Sequence, residues 1–343
     1  MSLRRSPYLR VVAFGSAFVA LLSIAGCTQL ANPQAPQSTV IPASNYGAMI
    51  TQLYVLIFWM AAAVFVGVEG FLVYAVIRFR RRRANEFPSQ VHGNTTLEVA
   101  WTLIPAVVLL VIAVPTISTI FASDVVPPKV NQHIQVIGHQ WWWEFRYPDL
   151  NVVTANELHL PVGQTVVFDL KTVDVIHSFW IPRMGGKMDV IPNRENRLIF
   201  TPDEIGEFYG QCVEFCGFQH ANMRLRLFVE SEDDFNRWAK TQAQDVSDPI
   251  GASATHGAQV FQQRGCPACH TIRGTQAQGV IGPDLTHVGA RKTIAAGTLD
   301  NTAENMARWI SDTQSIKPGN KMVVVPPTGQ DLTDVVNYLQ GLK

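Results

Sequence analysis

Two short stretches of this sequence concentrate side chains that bind redox metals. Residues 212–223 contain two cysteines, a histidine and a methionine, and another histidine, His177, stands upstream. Thiolate, imidazole and thioether ligands together favour copper over hard cations. A single cysteine would suit a mononuclear copper site, whereas Cys212 and Cys216 can both bridge two coppers, with His177 and His220 serving one metal each. The pattern predicts a dinuclear copper site.

Two alternatives to copper remain open from these residues alone. In an exported domain, Cys212 and Cys216 would also suit a disulfide bond. A zinc site would use cysteine and histidine ligands, although Met223 is a poor zinc ligand. The other histidines of this region have no cluster of metal-binding side chains beside them in the sequence, and we expect them at surface or core positions: His133, His139 and His159.

The second stretch is Cys266-Pro-Ala-Cys269-His270, which has the spacing for covalent attachment of a c-type haem. Both thiols bond to haem vinyl groups, and the histidine ligates the iron. A redox disulfide would need a thioredoxin-like βαβ setting, which the surrounding pattern lacks. A zinc site would need another pair of ligands, and no cysteine follows Cys269.

The sixth iron ligand should be a distant methionine or histidine. Met322 is the predicted ligand because it ends a loop, residues 317–322, before the final helical pattern. Met306 falls within a helical pattern and is expected in the core. His287 is the competing ligand.

The elements that position these residues begin with a membrane anchor. Residues 54–77 are apolar apart from Glu69, and residues 101–120, which contain Pro105 and Pro115, form a second apolar run. A helix of about 20 apolar residues crosses the roughly 30 Å of bilayer hydrocarbon. Only 16% of all residues are charged, which agrees with membrane segments. The arginine-rich loop 78–83 predicts a cytoplasmic connection, so both outer ends face outward.

An export signal precedes this hairpin. A basic start is followed by the apolar run 11–24 and by Ala25-Gly26-Cys27. Small residues before a cysteine resemble the bacterial lipoprotein cleavage box, in which the cysteine is diacylated. The alternative is an ordinary signal peptide with an incidental cysteine. We therefore expect a signal peptide over residues 1–26 and a linker over residues 27–48.

The rest of the chain changes character twice. Within residues 130–235, short apolar-alternating runs separated by turns predict an antiparallel β-sandwich or barrel. Residues 236–252 are predicted as a linker, and residues 253–343 as a mostly helical domain. The transmembrane hairpin occupies residues 49–123.

The net charge of the chain is zero, so bulk charge gives no sign of nucleic-acid binding, and no nucleic-acid partner is expected.

Across residues 45–235 the chain resembles subunit II of cytochrome c oxidase. The resemblance rests on the two-helix hairpin, on residues 138–143 and 187–192, and on the complete Cys-x-Glu-x-Cys-x-x-x-His-x-x-Met motif. It implies a cupredoxin-like Greek-key β-barrel with a dinuclear copper A (CuA) centre. The ligands it implies are His177, Cys212, the backbone carbonyl of Glu214, Cys216, His220 and Met223. It also assigns the Glu214 carboxylate to a magnesium site shared with subunit I.

The same resemblance implies two further roles. Trp141 matches the residue through which electrons reach the copper, although it could equally anchor a strand, and both roles can hold. Glu98 matches a carboxylate at the entrance of a proton pathway, while its alternative is a charge favoured at a helix N-terminus. Glu69 is assigned no role, although an intramembrane carboxylate is a functional hypothesis by default.

Residues 252–343 resemble a class I cytochrome c domain. Gly282-Pro283-Asp284-Leu285 matches that family, in which the proline carbonyl orients the proximal histidine, here His270. Val323 departs from the family, which often has proline there. The five cysteines are then all assigned, with Cys27 to lipid, Cys212 and Cys216 to copper, and Cys266 and Cys269 to haem.

These resemblances imply a multidomain membrane protein with a transmembrane hairpin, a cupredoxin-like barrel and an all-α cytochrome c domain. The implied function is that of subunit II of a respiratory, proton-translocating oxidase. Electrons from an external donor, a cytochrome c or a blue-copper protein, would pass through its haem and CuA to subunit I, with subunit III as a further partner. We expect a multi-pass protein of the bacterial cell membrane with both metal domains outside.

The alternative function is that of a free-standing, membrane-anchored electron carrier. The paired thiolates and the haem motif argue against a copper-delivery protein. The complete set of copper ligands argues against a quinol oxidase subunit, since such subunits lack them.

Overall fold

The structure is a computed structural model that describes residue 32, residues 35–80 and residues 92–343. The predicted signal peptide, Cys27 and residues 81–83 of the arginine-rich loop lie outside the described residues. The chain divides into two compact units, one of which is Ala48–Val125, while the other joins Met1–Gly47 to Val126–Lys343.

The smaller unit contains two long apolar helices. Helix α1 spans Asn45–Arg78 and helix α2 spans Thr95–Ser123, with mean hydropathies of 2.2 and 2.5 over their most apolar windows. Both helices are long and apolar enough to cross a membrane, and both extend beyond the predicted runs 54–77 and 101–120. Helix α2 starts early because the Asn94 side chain caps it, accepting a hydrogen bond from the Leu97 amide at 3.2 Å.

The first residues of α1 are fixed to the larger unit. Ser44 Oγ accepts a hydrogen bond from the Gly47 amide at 3.0 Å and donates to the Met184 carbonyl at 2.7 Å. Arg183 Nε donates to the Ile41 carbonyl at 3.0 Å. The end of the predicted 27–48 linker is therefore ordered against the β-domain.

The β-domain consists of two five-stranded sheets. The first has the order β3-β2-β1-β5-β8 and the second the order β4-β10-β9-β6-β7. The bounds are β1 Gln132–His139, β2 Trp142–Tyr147, β3 Val152–Ala155, β4 Glu157–Pro161, β5 Val166–Thr172, β6 His177–Trp180, β7 Met188–Val190, β8 Asn196–Phe200, β9 Gly206–Cys212 and β10 Arg224–Glu230. Strand β1 pairs with β5, and β4 with β10, in parallel, which differs from the wholly antiparallel arrangement predicted.

The core of this domain is aromatic. Along β2, Trp143, Phe145 and Tyr147 are buried because alternate residues of a strand face the same side. The Phe179 ring of β6 meets both Trp143 and Phe145, with centroids 5.4 and 6.3 Å away. Each fully buried aromatic or aliphatic side chain stabilises the fold by about 1.5–3 kcal/mol. This packing holds the strands from which the site residues project.

Helix α3, Glu232–Gln242, follows β10 directly and occupies the start of the predicted 236–252 linker. Ser231 caps it by accepting a hydrogen bond from the Asp234 amide at 3.2 Å. Phe235 is buried in the β-domain core, and the Trp238 ring stacks on His159 at 4.1 Å. The β-domain thus includes a helix that the sequence analysis missed.

The C-terminal domain has its own core and is mostly helical, as predicted. Its elements are α4 Ala252–Gln263, β11 Thr293–Ile294, β12 Leu299–Asp300, α5 Ala303–Ser311, α6 Thr313–Ile316 and α7 Gly329–Gly341. Helices α4 and α7 touch closely at Gly257, where a Cβ would lie 1.9 Å from the Asp334 carbonyl oxygen. Glycine is therefore required at that crossing.

Candidate copper and haem sites

The ends of two neighbouring strands bring the first three predicted copper ligands together. His177 begins β6, Cys212 ends β9, and Cys216 lies in the loop that leads to β10. The two Sγ atoms are 3.7 Å apart, and the His177 Nδ1 is 3.9 Å from Cys212 Sγ. The ligand atoms of all three residues lie within 4.8 Å of one another.

The remaining predicted ligands come from the same loop. His220 Nδ1 lies 3.7 Å from Cys216 Sγ, and Met223 Sδ lies 3.9 Å from the same sulfur. The Glu214 carbonyl oxygen is 3.2 Å from Cys212 Sγ. The structure therefore brings all six predicted ligands to one place, with a histidine beside each cysteine.

Cys212 and Cys216 are free thiols in this arrangement. Their Sγ separation of 3.7 Å is far longer than the roughly 2.05 Å of a disulfide. Two thiolates bound to one metal through tetrahedral bonds of about 2.3 Å would stand roughly 3.8 Å apart. The pair therefore fits two thiolates that share a metal, and the nearby Met223 thioether favours copper over zinc.

Hydrogen bonds prepare this site for a metal. The contact between the two thiols lowers the pKa of Cys212, against the effect of burial, and raises the pKa of Cys216, while the contact with His177 lowers the pKa of Cys212 further. The thiolate is the form that binds metals. His177 Nε2 donates to Asp174 Oδ1 at 2.8 Å, which leaves Nδ1 facing the sulfurs. Burial raises the pKa of Asp174, but hydrogen bonds from His177 and the Gln140 amide outweigh it and hold that pKa low.

Trp141 lies against the copper loop and is only 7% exposed. Its indole Nε1 donates to the Cys216 carbonyl at 2.9 Å, and Gln140 Nε2 donates to the same oxygen at 2.8 Å. The Trp141 carbonyl accepts a hydrogen bond from Lys317 of the C-terminal domain at 3.1 Å. The predicted electron-accepting residue therefore contacts a predicted copper ligand through its indole and the C-terminal domain through its carbonyl.

The haem-binding motif forms one tight turn. The amides of Cys269 and His270 both donate to the Cys266 carbonyl at 3.1 Å, and both cysteines are free. His270 Nδ1 donates to the Pro283 carbonyl at 2.8 Å, as the resemblance implied, and this leaves Nε2 for iron. Burial lowers the pKa of His270, which favours the neutral, metal-binding imidazole.

Two further features fit a haem beside His270. A Cβ on Gly282 would lie 2.6 Å from His270 Cε1, so only glycine leaves the ring in place. The buried Arg291 guanidinium has an Nε–H that finds no acceptor among the described residues. Arg291 Nη2 donates to the Asp284 carbonyl at 2.5 Å, so the guanidinium keeps one buried donor without an acceptor in the described part of the chain, which suits an anionic group such as a haem propionate. The motif and its surroundings therefore fit haem.

The loop of Met322 is held by one buried amide. Asn320 Nδ2 donates to the carbonyls of Thr313 and Lys317 at 3.0 and 2.8 Å, and Asn320 Oδ1 accepts from the Met322 amide at 2.8 Å. Met306 is buried in the helical core, as predicted, with its sulfur 3.6 Å from Gln340 Nε2. Met322, the predicted iron ligand, thus lies in a loop held by Asn320, whereas Met306 is part of the core.

The competing ligand, His287, is engaged elsewhere. Its Nε2 donates to the Gln244 carbonyl at 3.0 Å, although its Nδ1 finds no partner in the described part of the chain.

In the membrane hairpin, Glu98 lies in the first turn of α2. Glu69 lines a groove that Val108 and Ile112 help to form.

Comparison with known proteins covers nearly the whole chain. A family model described as "Cytochrome C oxidase subunit II, transmembrane domain" matches residues 40–119, and one for the periplasmic domain of the same subunit matches residues 150–231. A cytochrome c model matches residues 254–343. Cytochrome c oxidase subunit 2 of Alkalihalophilus pseudofirmus is 37% identical over 321 residues, covering 91% of this chain and 90% of that one. This chain belongs to the cytochrome c oxidase subunit II family.

Other members of the subunit II family show the same match. Cytochrome c oxidase subunit 2 of Bacillus subtilis is 35% identical over 291 residues, covering 79% of this chain and 82% of its own. The periplasmic domain of the Bradyrhizobium japonicum subunit II is 34% identical and covers 34% of this chain and 95% of its own, with a TM-score of 0.33.

Family membership confirms the predicted fold class. The chain has an apolar two-helix anchor, a cupredoxin-like β-domain and a helical cytochrome c domain, as a membrane-anchored oxidase component. Its subunit II domain implies CuA copper, and its cytochrome c domain implies haem. Sequence reasoning missed Asp174 and Asn320, which contact the predicted ligands.

Proposed function

We propose that this subunit takes electrons from an external donor at its C-terminal haem domain and delivers them through a CuA centre to subunit I. There, oxygen reduction would be coupled to proton pumping. The observation that carries the proposal is the convergence of six copper-type ligands around Cys212 and Cys216 in a chain that also has a haem motif. Cytochrome c, or a blue-copper protein, is the class of donor we expect.

When bound, dinuclear copper and haem c supply one-electron redox chemistry. Cys212 and Cys216 would hold the copper centre, with the other ligands as predicted above. Cys266 and Cys269 would hold the haem covalently, and His270 and Met322 would ligate its iron. Pro283 orients His270 and Asp174 orients His177, so hydrogen bonds from the chain itself fix both imidazoles.

Several finer assignments belong to this proposal. Glu98 would lie at a proton pathway entrance, and the Glu214 carboxylate would bind magnesium at the subunit I interface. Export of the β-domain and haem domain to the outer face is supported by the arginine-rich loop between α1 and α2. Cys27 would be lipidated after signal cleavage, and subunit III would complete the complex.

Co-purification separates this proposal from a free-standing carrier. The tagged chain would be solubilised from membranes with mild detergent, beside an equally tagged, unrelated two-helix membrane protein as control. We expect a multi-helix haem protein to accompany the chain alone and to consume oxygen when a reduced donor is added. Isolation of the chain without such a partner, with its metal centres intact, would favour the free-standing carrier.

A further inference from the structure

Here the copper domain means residues 126–242 and the haem domain means residues 252–343. The two domains meet at a buried lysine of the haem domain. Lys317 is only 4% exposed. Its ammonium donates to the carbonyls of Trp141 and Asn222 at 3.1 and 2.9 Å, and to the carbonyl of Ala295 at 3.4 Å. Two of these three acceptors belong to the copper domain, so the lysine is satisfied only when the domains are together.

A buried acid of the copper domain makes the reciprocal contact. Glu157, on β4, is 3% exposed. Its carboxylate accepts hydrogen bonds from the amides of Lys292 and Thr293 at 3.2 and 2.7 Å, and from Thr293 Oγ1 at 2.8 Å. Each domain therefore buries one charged side chain on the backbone of the other.

Between these two anchors, the loop of one metal site lies on the loop of the other. Gln219 Nε2 donates to the Pro318 carbonyl at 2.6 Å, and Gly319 lies beside the side chain of Phe218, which is itself exposed. Lys321 Nζ is 3.5 Å from Asp174, the carboxylate that holds His177. Residues 317–321, which precede Met322, thus lie directly on the loop that carries Cys216 and His220.

Burial of these charges indicates a specific docked state. An ammonium or carboxylate removed from water is costly unless hydrogen bonds replace its hydration. Desolvation lowers the pKa of Lys317 to about 7, which agrees with its burial. The carbonyls around Lys317 and the amides around Glu157 supply the replacement bonds. A domain that merely swings on a tether would keep such groups in water.

We propose that Lys317 and Glu157 are positioning residues that hold the haem domain in one place over Trp141. The haem domain is then the resident donor to the copper site, and it closes this face to soluble donors. This inference rests on the proposed function, because it names the geometry of the same electron transfer.

Amide hydrogen exchange on the complete, detergent-solubilised chain tests the anchors separately. The Lys292 and Thr293 amides, which bond to Glu157, report on Lys317→Met. The Arg224 amide, which donates to the Ala296 carbonyl at 3.3 Å across the interface, reports on Glu157→Gln. Loss of charge-assisted hydrogen bonds should lower protection of these amides about ten- to a hundredfold. Lys240→Met, an exposed lysine at the end of α3, is the matched control and should change nothing.

Electron transfer supplies the second measurement. In the double variant K317M/E157Q, flash-initiated transfer from haem to copper should slow and become dependent on ionic strength, while the optical and EPR spectra stay those of the unsubstituted chain. Amides of α4 and α7 should keep their protection, which shows that the haem domain remains folded. Unchanged protection and an unchanged transfer rate in the double variant would overturn the inference.

Failure of the proposed function would look different. A chain that bound no copper or no haem would contradict the electron relay, yet hydrogen exchange at Lys292, Thr293 and Arg224 would still show whether the domains are docked. Intact metal spectra with unprotected interface amides in the unsubstituted chain would sink the docking inference alone.

Discussion

Asp174 Oδ1 accepts a hydrogen bond from Nε2 of His177 at 2.8 Å, and so fixes which imidazole nitrogen faces the copper sulfurs. Replacing Asp174 by asparagine keeps the shape but removes the charge. Because outer carboxylates commonly contribute about 10- to 100-fold to metal affinity, we expect Asp174→Asn to weaken copper binding by that factor. Competition with a copper chelator measures it.

A control for this substitution lies on the same domain. Asp149, in a short surface turn far along the chain from the ligands, should tolerate asparagine with no change in copper affinity. Equal copper affinities for Asp174→Asn and Asp149→Asn would show that the His177 contact does not support the site.

The two metal sites should be lost independently. Cys216→Ser removes one of the two proposed bridging thiols, which also lies beside His220 and Met223, so copper should be lost while covalent haem is kept. Cys266→Ser should weaken haem attachment and leave the copper signal. Metal analysis and haem staining of a denaturing gel measure both. Loss of both cofactors in either variant, with the domains still folded by circular dichroism, would contradict separate sites.

Met322→Ala should abolish the low-spin methionine–iron spectrum while the copper signal remains. Met306→Leu is the matched control, because Met306 is buried in the helical core and a leucine of similar volume should preserve the spectrum. Absorption and magnetic circular dichroism spectra of the oxidised protein distinguish the two. A surviving methionine–iron spectrum in Met322→Ala would exclude Met322, and a histidine-type spectrum in the unsubstituted chain would point to His287.

Asn320 should matter for the same spectrum without being a ligand. Its side chain bonds to the backbone of Thr313, Lys317 and Met322, and a buried polar group left without its partner costs about 1–3 kcal/mol. Asn320→Ala should therefore destabilise the haem domain by about that amount and weaken the methionine–iron bond. Chemical denaturation followed at the haem band measures the first effect. A variant as stable as the unsubstituted chain would show that Asn320 does not brace the loop.

The stability of the haem domain should depend on pH through Asp334. Hydrogen bonds from Ser253, His256 and Gln330 lower the pKa of this carboxyl. A lowered folded-state pKa stabilises the fold above the unfolded carboxyl pKa of about 3.9, and that contribution is lost as pH falls through the folded value. Asp334→Asn should therefore lower the melting temperature at pH 7, with the gap closing toward pH 3.

Asp331→Asn is the control for that experiment. Asp331 pairs with Arg264 at 3.2 Å in a partly exposed position, where ion pairs add little stability. Its melting temperature should follow that of the unsubstituted chain at both pH values. A difference in melting temperature between Asp334→Asn and the unsubstituted chain that stays constant with pH would contradict a role for the Asp334 charge.

Local patterns predicted much of this architecture. Apolar-alternating runs within residues 130–235 predicted strands, and the structure contains strands β1 to β10 there. Helix α3 was missed although its signal was present, since Ser231 precedes three acidic residues, the usual composition of a helix start. The parallel pairing of β1 with β5 was beyond local patterns, because pairing depends on where distant strands meet.

The site residues likewise divide into those that local sequence patterns could predict and those that they could not. The copper ligands could be named because five of the six lie within residues 212–223 and their chemical types are distinctive. Lys317 and Glu157 carry no such local signal, because their partners, Trp141 and Thr293, are more than a hundred residues away along the chain. Their burial became visible only when the haem domain and the copper domain were seen together.

The central claim, an electron relay through a dinuclear copper site and an attached haem, is tested most directly by metal and haem analysis with EPR. The complete chain would be produced with haem-maturation machinery and copper, then solubilised. We predict two coppers and one covalent haem per chain, with a mixed-valence copper signal. A single copper with a mononuclear signal, or no copper at all, would contradict the account.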